Sequence, residues 1–454
     1  MTKLITSTAT LFEYVTYDVI LSAKKDYYSE YSKTLHLREE TLNELEKINK
    51  INKFLDIGRK TIKPLNYIGV VKTGSITIEI LPKLFKDDRY EKHRAVIARN
   101  LLKMLSYSEK LSIREIDSAD LDTEENDFFE IFIYFFAKNL NELIKSTQKK
   151  EYIKNSEELR FIRERINTRR YTNPARLHII PCNYHELSID NTLNRTLKYT
   201  CYLMSRMVKN TDTFRLLRSI SGILDSVTLY PVSISEIDRI SFSRLNRIFE
   251  PFIRTCRIFL SHSTLTLQAS DVETFSLLIP METLFEEFIA EVLKEDPDYF
   301  FGPHTSVSPQ QYIGKLANSE DGSGVFSLRP DIVVKRGVEV AIIDTKYKLL
   351  SDKDRKYGVS QADMYQIYAY VTKKGAVSSM LLYPDTELRG PMTFFYNLEN
   401  KGVNLVPLYI TSIKLSYDLT KEKEWSEFRK NLKNVVIKLF PEFKQLGHAV
   451  ELRN

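Results

Sequence analysis

A short acidic hairpin constrains the fold of this chain more than any other segment. Residues 331–346 read as a strand that begins with Asp331, a tight Arg-Gly turn, and a returning strand that is almost entirely apolar. Because side chains alternate along a strand, Asp344 and Lys346 share one face and Thr345 points away from it. The pattern predicts a buried β-hairpin that carries both aspartates near the same end.

The chemistry of these residue types is that of a metal-dependent phosphodiester hydrolase. Asp331, Asp344 and the backbone carbonyl of Thr345 offer hard oxygen ligands, which suit Mg²⁺ or Mn²⁺. Such a cation lowers the pKa of a bound water, and Lys346 would orient that water or stabilise charge on the phosphate. A nuclease is therefore the leading hypothesis, although Asp-Thr-Lys at a strand end also occurs as a solvated hydrogen-bonding edge.

Predicted helices flank the hairpin on both sides in the sequence. Residues 280–293 have apolar side chains at helical spacing, and Glu286 and Glu287 border the resulting stripe. Downstream, Gln366 and Tyr370 lie one turn apart on a second predicted helix. A helix, an acidic hairpin and a Gln-x-x-x-Tyr helix in this order resemble the core of the PD-(D/E)xK nuclease superfamily.

The superfamily resemblance implies a role for each polar residue. The catalytic and metal-binding group would consist of Glu286, Asp331, Asp344 and Lys346. Gln366 and Tyr370 would be supporting groups near the DNA, although a tyrosine at such a position is also a common core residue. Glu287 could serve in place of Glu286, and this alternative stays open.

Other segments sharpen the resemblance to one family. Residues 66–83, 181–198 and 281–288, followed by the nuclease residues, resemble the McrC family, whose members are nuclease subunits of McrBC-type modification-dependent restriction systems. The resemblance extends from about residue 60 to about residue 375. It departs from the family pattern at Arg163-Glu164-Arg165, where Arg-Gly-x is expected, and this leaves the local backbone there in doubt.

The family resemblance implies an activity and its partners. The chain would be a Mg²⁺- or Mn²⁺-dependent endonuclease that cuts double-stranded DNA carrying modified cytosine, and it would work with and stimulate a AAA+ GTPase of the McrB type. The sequence contains no Gly-x-x-x-x-Gly-Lys-Ser/Thr loop, so nucleotide hydrolysis would come from the partner. The alternative is a non-catalytic activator or adaptor of a AAA+ motor that retains a nuclease fold.

Length and composition are compatible with this interpretation. The chain has 454 residues, 43% hydrophobic and 28% charged, which predicts several packed cores. A net charge of +6 permits nucleic-acid binding without requiring it. Three widely spaced cysteines, the lack of a signal peptide and the lack of a long apolar segment predict a cytoplasmic protein with no membrane role.

The predicted fold class is a multidomain α+β architecture. Residues 1–125 would form a mixed α/β domain that engages the partner, residues 126–265 a helical middle region, and residues 266–454 a PD-(D/E)xK endonuclease domain with a mixed central sheet. Within the first domain, residues 70–80 alternate around Thr-Gly as a hairpin, where the family resemblance places partner contact. Residues 308–325 are predicted to be a loop leading to the metal site.

A run of basic residues in the middle region is a candidate DNA contact. Its main members are Arg163, Arg165, Arg169 and Arg170. They could follow a phosphate backbone or meet an acidic surface of the AAA+ partner. An equally weighted alternative is a solvated surface paired with nearby glutamates, because such pairs are common and nearly neutral in energy.

Overall fold

The computed structural model describes residues 5–51, 53–73, 76–85, 90–108, 128–171, 174–176, 178–244, 246–266, 274–320, 323–350, 356–385, 392–397 and 405–440. These residues fall into two compact units. The first combines the described residues up to 108 with those from 265 onward, and the second contains those from 128 to 264. Helices and mixed sheets occur together, which confirms the predicted mixed α/β architecture. The three-domain boundaries at residues 125 and 265 stay a prediction.

The N-terminal part of the first unit alternates short strands with two helices. In chain order its elements are β1 (Ile5–Thr6), β2 (Thr8–Phe12), β3 (Tyr17–Leu21), β4 (Tyr27–Ser29), β5 (Thr34–Leu37), α1 (Glu39–Ile51), β6 (Leu55–Ile57), β7 (Thr61–Pro64), β8 (Tyr67–Thr73), β9 (Ile76–Leu81) and α2 (Tyr90–Ser108). A six-stranded sheet has the order β1-β4-β5-β3-β7-β6. Its apolar side chains pack with those of α1, because Leu45 and Ile48 lie on the buried face of that helix.

The second unit contains helices and a small sheet. Its elements are α3 (Phe128–Ser146), β10 (Glu151–Leu159), β11 (Arg165–Ile166), β12 (Ile180–Ser188), α4 (Thr192–Ser205), α5 (Thr211–Ile223), α6 (Ile234–Asp238) and α7 (Glu250–His262). Its helices agree with the helical character predicted for this region, and α7 starts at Glu250. The sheet β10-β12-β11 was not predicted. Most side chains of β10 are exposed, so its sequence lacks the apolar alternation that identifies a half-buried strand.

The C-terminal part of the first unit carries the predicted acidic hairpin. Its elements, starting at the boundary between the units, are β13 (Ser263–Thr266), β14 (Thr274–Pro280), α8 (Met281–Glu295), α9 (Pro297–Phe301), β15 (Thr305–Pro309), β16 (Gly314–Asn318), β17 (Gly324–Leu328), β18 (Ile332–Arg336), β19 (Glu339–Thr345), α10 (Gln361–Lys374), β20 (Ser378–Asp385), β21 (Met392–Asn397), β22 (Leu405–Lys414) and α11 (Glu422–Val436).

A mixed six-stranded sheet of order β15-β18-β19-β20-β22-β21 forms the centre of this part. The pairs β19–β20 and β20–β22 are parallel, and the other pairs are antiparallel. The predicted mixed central sheet is therefore confirmed. The predicted loop at residues 308–325 is wrong in part, because β16 and β17 pair there as an antiparallel hairpin. These two short strands are largely exposed and show no apolar alternation.

A second sheet joins the N-terminal strands to the helix that carries Glu286. Its order is β13-β14-β8-β9-β2, and β14 leads directly into α8. The predicted β8–β9 hairpin is confirmed, with residues 74 and 75 outside the described residues. Gly69 has φ +137°, and a Cβ there would lie 1.9 Å from the Leu277 carbonyl oxygen, so β8 can pass β14 only with glycine.

The strands of this hairpin are packed in the sheet. Every residue of β9 is buried, and so is most of β8. Partner contact in this N-terminal region stays a prediction. In the described part of the chain, no helix is both long and apolar enough to cross a membrane. Cys182, Cys201 and Cys256 are buried free thiols.

Candidate active site

The β18–β19 hairpin brings the two predicted aspartates together. Ile332 pairs with Ile343, so the next position places Asp331 across from Asp344. Gly337, at φ +58°, provides the turn, a conformation that favours glycine. The apolar residues of both strands are buried in the central sheet, which fixes the register of the pair. The predicted hairpin is confirmed.

Asp331 is held by the chain that follows Asp344. Its Oδ2 accepts hydrogen bonds from the Thr345 backbone N–H at 2.8 Å and the Thr345 hydroxyl at 2.9 Å. Burial raises the pKa of Asp331 above its ordinary value, and these hydrogen bonds oppose the shift. Thr345 was expected to point away from the acids. In the structure its hydroxyl instead donates to Asp331, which immediately precedes β18.

Asp344 is a fully buried carboxylate, and few neighbouring groups compensate its negative charge. It is 0% exposed, and neither carboxylate oxygen accepts a hydrogen bond of good geometry from the described residues. Lys346 Nζ lies 2.6 Å from Oδ2 as an ion-pair partner. Burial and the nearby charge of Asp331 raise the pKa of Asp344 to about 7, against the opposing effect of Lys346. Both carboxylate oxygens are thus buried, and Lys346 is the cation that faces one of them.

Lys346 links the acids to helix α10. Its Nζ donates to Gln366 Oε1 at 3.1 Å, and Gln366 Nε2 donates to the Tyr370 hydroxyl oxygen at 2.9 Å. Burial opposes the charged form of Lys346, but the carboxylates of Asp344 and Asp331 outweigh it and raise the pKa of the lysine. The ammonium group therefore stays charged at the centre of the predicted residues, all of which the structure brings together.

The two candidate glutamates of α8 face different surroundings. Burial, together with the charge of Asp331, raises the pKa of Glu286 to about 7, and the charges of Glu287 and Asp344 add to this. Glu286 accepts a hydrogen bond from the Gln310 side chain. Glu287 instead accepts one from Ser108 of α2. The geometry therefore associates Glu286 with the two aspartates.

Gln310 is a site residue that sequence reasoning missed. Its side chain contacts Glu286, and its backbone N–H donates to the Asp331 carbonyl at 2.8 Å, so one residue connects both acids. It has φ +48°, an uncommon conformation for a residue other than glycine. The available sequence signal was weak, since Gln310 lies in a polar segment predicted to be a loop.

The donor set suits a hard divalent cation in its chemistry. The buried acceptor atoms of Asp344 and the neighbouring carboxyl group of Asp331 are the arrangement that such a cation compensates. Within the described residues, however, no three His, Cys, Asp or Glu side chains are close enough to form a ready-made metal cluster. Asp331 and Asp344 fit as ligands, and Glu286 lies at the edge of the group.

The candidate DNA-binding arginines lie in the second unit. The Arg163 guanidinium lies 3.9 Å from the centroid of the Tyr184 ring and 3.7 Å from Glu186. Arg165 lies on the short strand β11, and Arg169 and Arg170 lie in the turn that follows. These three side chains are exposed. The ion pair of Arg163 agrees with a solvated, partly paired surface, and a role in DNA binding stays a prediction.

Fold and site together define a mixed α/β multidomain protein with a buried acid–lysine centre on a β-hairpin. The family described as McrBC 5-methylcytosine restriction system component matches residues 62–384, which is well over half of the chain. The chain belongs to this family. The resemblance drawn from the sequence is therefore confirmed at the family level. No curated protein matches the sequence.

Two solved structures are similar to the chain. One is a refined half-complex from a tetradecameric assembly of Thermococcus gammatolerans McrB AAA+ hexamers with bound McrC. It matches with a TM-score of 0.65 and 22% identity, over 94% of this chain and 100% of the other. A cryo-EM structure of the Thermococcus gammatolerans McrBC complex matches with a TM-score of 0.47 and 23% identity, over 63% of this chain and 87% of the other. At these identities the first similarity shows the fold alone.

Proposed function

We propose that this chain is the metal-dependent DNA endonuclease component of a 5-methylcytosine restriction system, with a PD-(D/E)xK active site formed by α8, the β18–β19 hairpin and α10. The observation that carries the proposal is the position of Lys346 between the Asp344 carboxylate and Gln366. A buried carboxylate pair with raised pKa values is costly to fold, and such groups cluster at functional sites.

Each residue of the centre has a distinct task under this proposal. Asp331 and Asp344 would hold Mg²⁺ or Mn²⁺, together with the Thr345 carbonyl, and Glu286 would complete the acidic edge. The bound cation supplies a water of lowered pKa and compensates charge on the phosphate. Lys346 places a positive charge and three N–H donors beside this position, so it can orient a water or stabilise a phosphate oxygen.

The α10 side chains would fix the orientation of the lysine. Gln366 accepts from Lys346 and donates to Tyr370, so its amide is held at both ends. Asp363 caps the same helix by closing a capping box with Ser360, and it also pairs with Lys348 at 3.0 Å. The segment after the catalytic lysine is thereby tied to the helix that supports it.

The family match and the first structural neighbour suggest the partners. The family description names 5-methylcytosine restriction, and the Thermococcus gammatolerans assembly contains McrB AAA+ hexamers with bound McrC. By analogy, this chain would bind and stimulate a AAA+ GTPase of the McrB type in the cytoplasm, and the substrate would be double-stranded DNA with modified cytosine. We place the contact surface in the N-terminal region that includes the β8–β9 hairpin, as the family resemblance implies.

A metal-binding assay with a matched variant tests the nuclease proposal. Wild-type protein and Asp344→Ala are melted with and without Mn²⁺, and both are assayed for cleavage of methylated DNA with the AAA+ partner. We expect Mn²⁺ to raise the Tm of wild type only, by linkage to binding in the folded state, and cleavage to fall at least about a thousandfold in the variant. Cleavage by Asp344→Ala at the wild-type rate would refute the assignment.

One observation favours a second function. The described residues contain no ready-made cluster of three metal-ligating side chains, as expected for an adaptor that retains the fold without cutting. An adaptor predicts no Mn²⁺-dependent rise in Tm and no cleavage by wild type, while stimulation of the partner's GTPase persists. The same two measurements therefore separate the two functions.

A further inference from the structure

A buried polar cluster lies directly behind the proposed catalytic lysine. It consists of Glu13, which follows β2, Lys83, which follows β9, and Tyr347, which follows Lys346. All of these residues belong to the first compact unit. Glu13 and Lys83 are far in sequence from the acidic hairpin, and neither lies in a motif that the sequence analysis singled out.

Hydrogen bonds connect all three residues of the cluster. The Tyr347 hydroxyl donates to Glu13 Oε2 at 2.9 Å, and the Lys83 backbone N–H donates to the same oxygen at 3.2 Å. Lys83 Nζ donates to the Tyr347 carbonyl oxygen at 2.9 Å. The same ammonium lies 4.5 Å from the centroid of the Tyr14 ring and 4.6 Å from that of Tyr347.

The burial of these charges is costly. Glu13 is 1% exposed, and its Oε1 has no hydrogen-bond partner among the described residues. Burial lowers the pKa of Lys83 although the charge of Glu13 opposes this effect. Apolar residues of similar volume often stabilise a fold as well as a buried charge pair does. Core packing alone therefore does not explain an acid and a lysine at this place.

The contacts fix the backbone at the end of the catalytic strand. Lys346 N–H donates to the Leu382 carbonyl at 2.9 Å, and Lys348 N–H donates to the Lys346 carbonyl at 2.8 Å, so the chain turns sharply after the lysine. Between these two bonds, Lys83 donates a hydrogen bond to the Tyr347 carbonyl oxygen. The Tyr347 hydroxyl donates a hydrogen bond to Glu13. A displacement of Tyr347 would move Lys346 relative to Asp344.

We propose that Glu13 and Lys83 are positioning residues that hold Tyr347 and thereby set the location of Lys346 in the active site. This inference rests on the proposed nuclease function and extends it to the N-terminal strands. A displacement of about 1 Å from a productive geometry can lower a rate a hundredfold, so the contact acts on turnover and not on DNA affinity.

The test measures DNA cleavage by single-residue variants of the cluster. Each variant is the full chain, assayed together with its AAA+ partner. Lys83→Met removes the donor to the Tyr347 carbonyl and keeps the aliphatic stem, and Tyr347→Phe removes only the hydroxyl. We expect each to lower kcat for cleavage about tenfold or more with KM for DNA unchanged. Lys83→Arg keeps a donor and should restore most of the lost kcat. The Mn²⁺-dependent rise in Tm should persist in all three.

A matched control separates positioning from stability. Arg99 and Asp418 form another buried ion pair of the first unit, at 2.8 Å, which joins α2 to the segment that follows β22. Arg99→Met should lower Tm but keep kcat per folded molecule. A Lys83→Met protein that folds and cuts at the wild-type kcat would overturn the inference and leave the nuclease proposal intact. If Lys83→Met fails to fold, an unchanged kcat in Tyr347→Phe overturns it instead. If wild type itself does not cut, the nuclease proposal fails and this inference with it.

Discussion

Two buried aspartates of the first unit, Asp418 and Asp344, have pKa values that are shifted in opposite directions. At Arg99 and Asp418, the carboxylate accepts two hydrogen bonds from the guanidinium and two from Thr420. Burial alone would raise the pKa of Asp418, but these hydrogen bonds outweigh it and hold the pKa below its ordinary value. At Asp344, both oxygens lack such bonds, and the pKa rises to about 7.

Under the proposed function, this difference distinguishes a structural ion pair from a site that binds a cation. Asp418 pairs with Arg99 and, at 3.6 Å, with the exposed Lys421, and Thr420 fills its other oxygen, as a buried carboxylate needs for stability. Asp344 and Asp331 instead share Lys346, and Glu286 adds a third acidic side chain nearby, so acidic groups outnumber the lysine. A divalent cation would compensate that imbalance, and nothing comparable is needed at Asp418.

The largest expected effect is a difference in stability between two equivalent substitutions. Asp418→Asn leaves Arg99 buried without a counter-charge and should lower the free energy of unfolding by about 3–5 kcal/mol. Asp344→Asn should lower it far less, because Lys346 keeps Asp331 nearby. Urea unfolding of both variants at pH 8 without metal measures this. Equal losses would remove the distinction between the two groups.

The next effect is a pH dependence at Glu13, which faces Lys83, Tyr347 and Tyr14. Burial raises its pKa from 4.5 to about 7, so the folded chain binds a proton that the unfolded chain has already released across that interval. The stability of wild type relative to Glu13→Gln is therefore full below pH 4.5 and falls as pH rises to about 7. The total difference is on the order of 3 kcal/mol. Melting both proteins between pH 4.5 and 8 tests this, and a constant difference in Tm would contradict it.

The elements that carry the candidate site are easier to predict from the sequence than their surroundings, for a physical reason. Strand alternation and helical periodicity identify the hairpin, α8 and α10, and these elements carry Glu286, Asp331 and Lys346. Their side chains meet because β18 and β19 are joined by a tight turn and the helices pack on the same sheet. Local patterns were therefore sufficient for this part of the fold.

What could not be predicted depends on contacts between distant segments. Glu13 and Lys83 reach Tyr347 only when the N-terminal strands and the nuclease strands share one unit, and Gln310 reaches Glu286 through a hairpin hidden in a polar segment. The strands β10, β16 and β17 are largely exposed, so their sequences show no apolar alternation. The partner contact that the family resemblance suggests near the β8–β9 hairpin stays a prediction, because residues 74 and 75 lie outside the described residues.

A third prediction concerns which glutamate of α8, Glu286 or Glu287, acts together with Asp331 and Asp344. Glu286→Gln should reduce cleavage about a hundredfold, because the residue lies within the field of Asp331 and Asp344. Glu287→Gln is the matched neighbour and should change the rate by less than about threefold, since its carboxylate contacts Ser108. Steady-state cleavage with the AAA+ partner provides the comparison. A larger loss in Glu287→Gln would show that the other face of α8 bears the functional acid.

The smallest expected effect concerns the exposed arginines of the second unit, in contrast to the buried carboxylates compared above. Arg165, Arg169 and Arg170 are exposed and Arg163 is half-buried beside Tyr184, so their charges interact weakly with the fold and are available to a ligand. If they follow a DNA backbone, replacing all four with Gln should weaken binding to every sequence alike. It should also flatten the dependence of log Kd on log salt by about one unit per lost phosphate contact.

The competing assignment makes a different prediction for the same variant. If these arginines meet an acidic surface of the AAA+ partner, assembly of the complex should be lost while the DNA affinity of the free chain stays unchanged. Arg195→Gln, at a paired arginine of the same unit, controls for a general loss of positive charge, because Arg195 is bound to Asp190. A salt slope equal to that of wild type in the fourfold variant would exclude phosphate contact by this run, since the slope counts the counterions that phosphate-bound cations release.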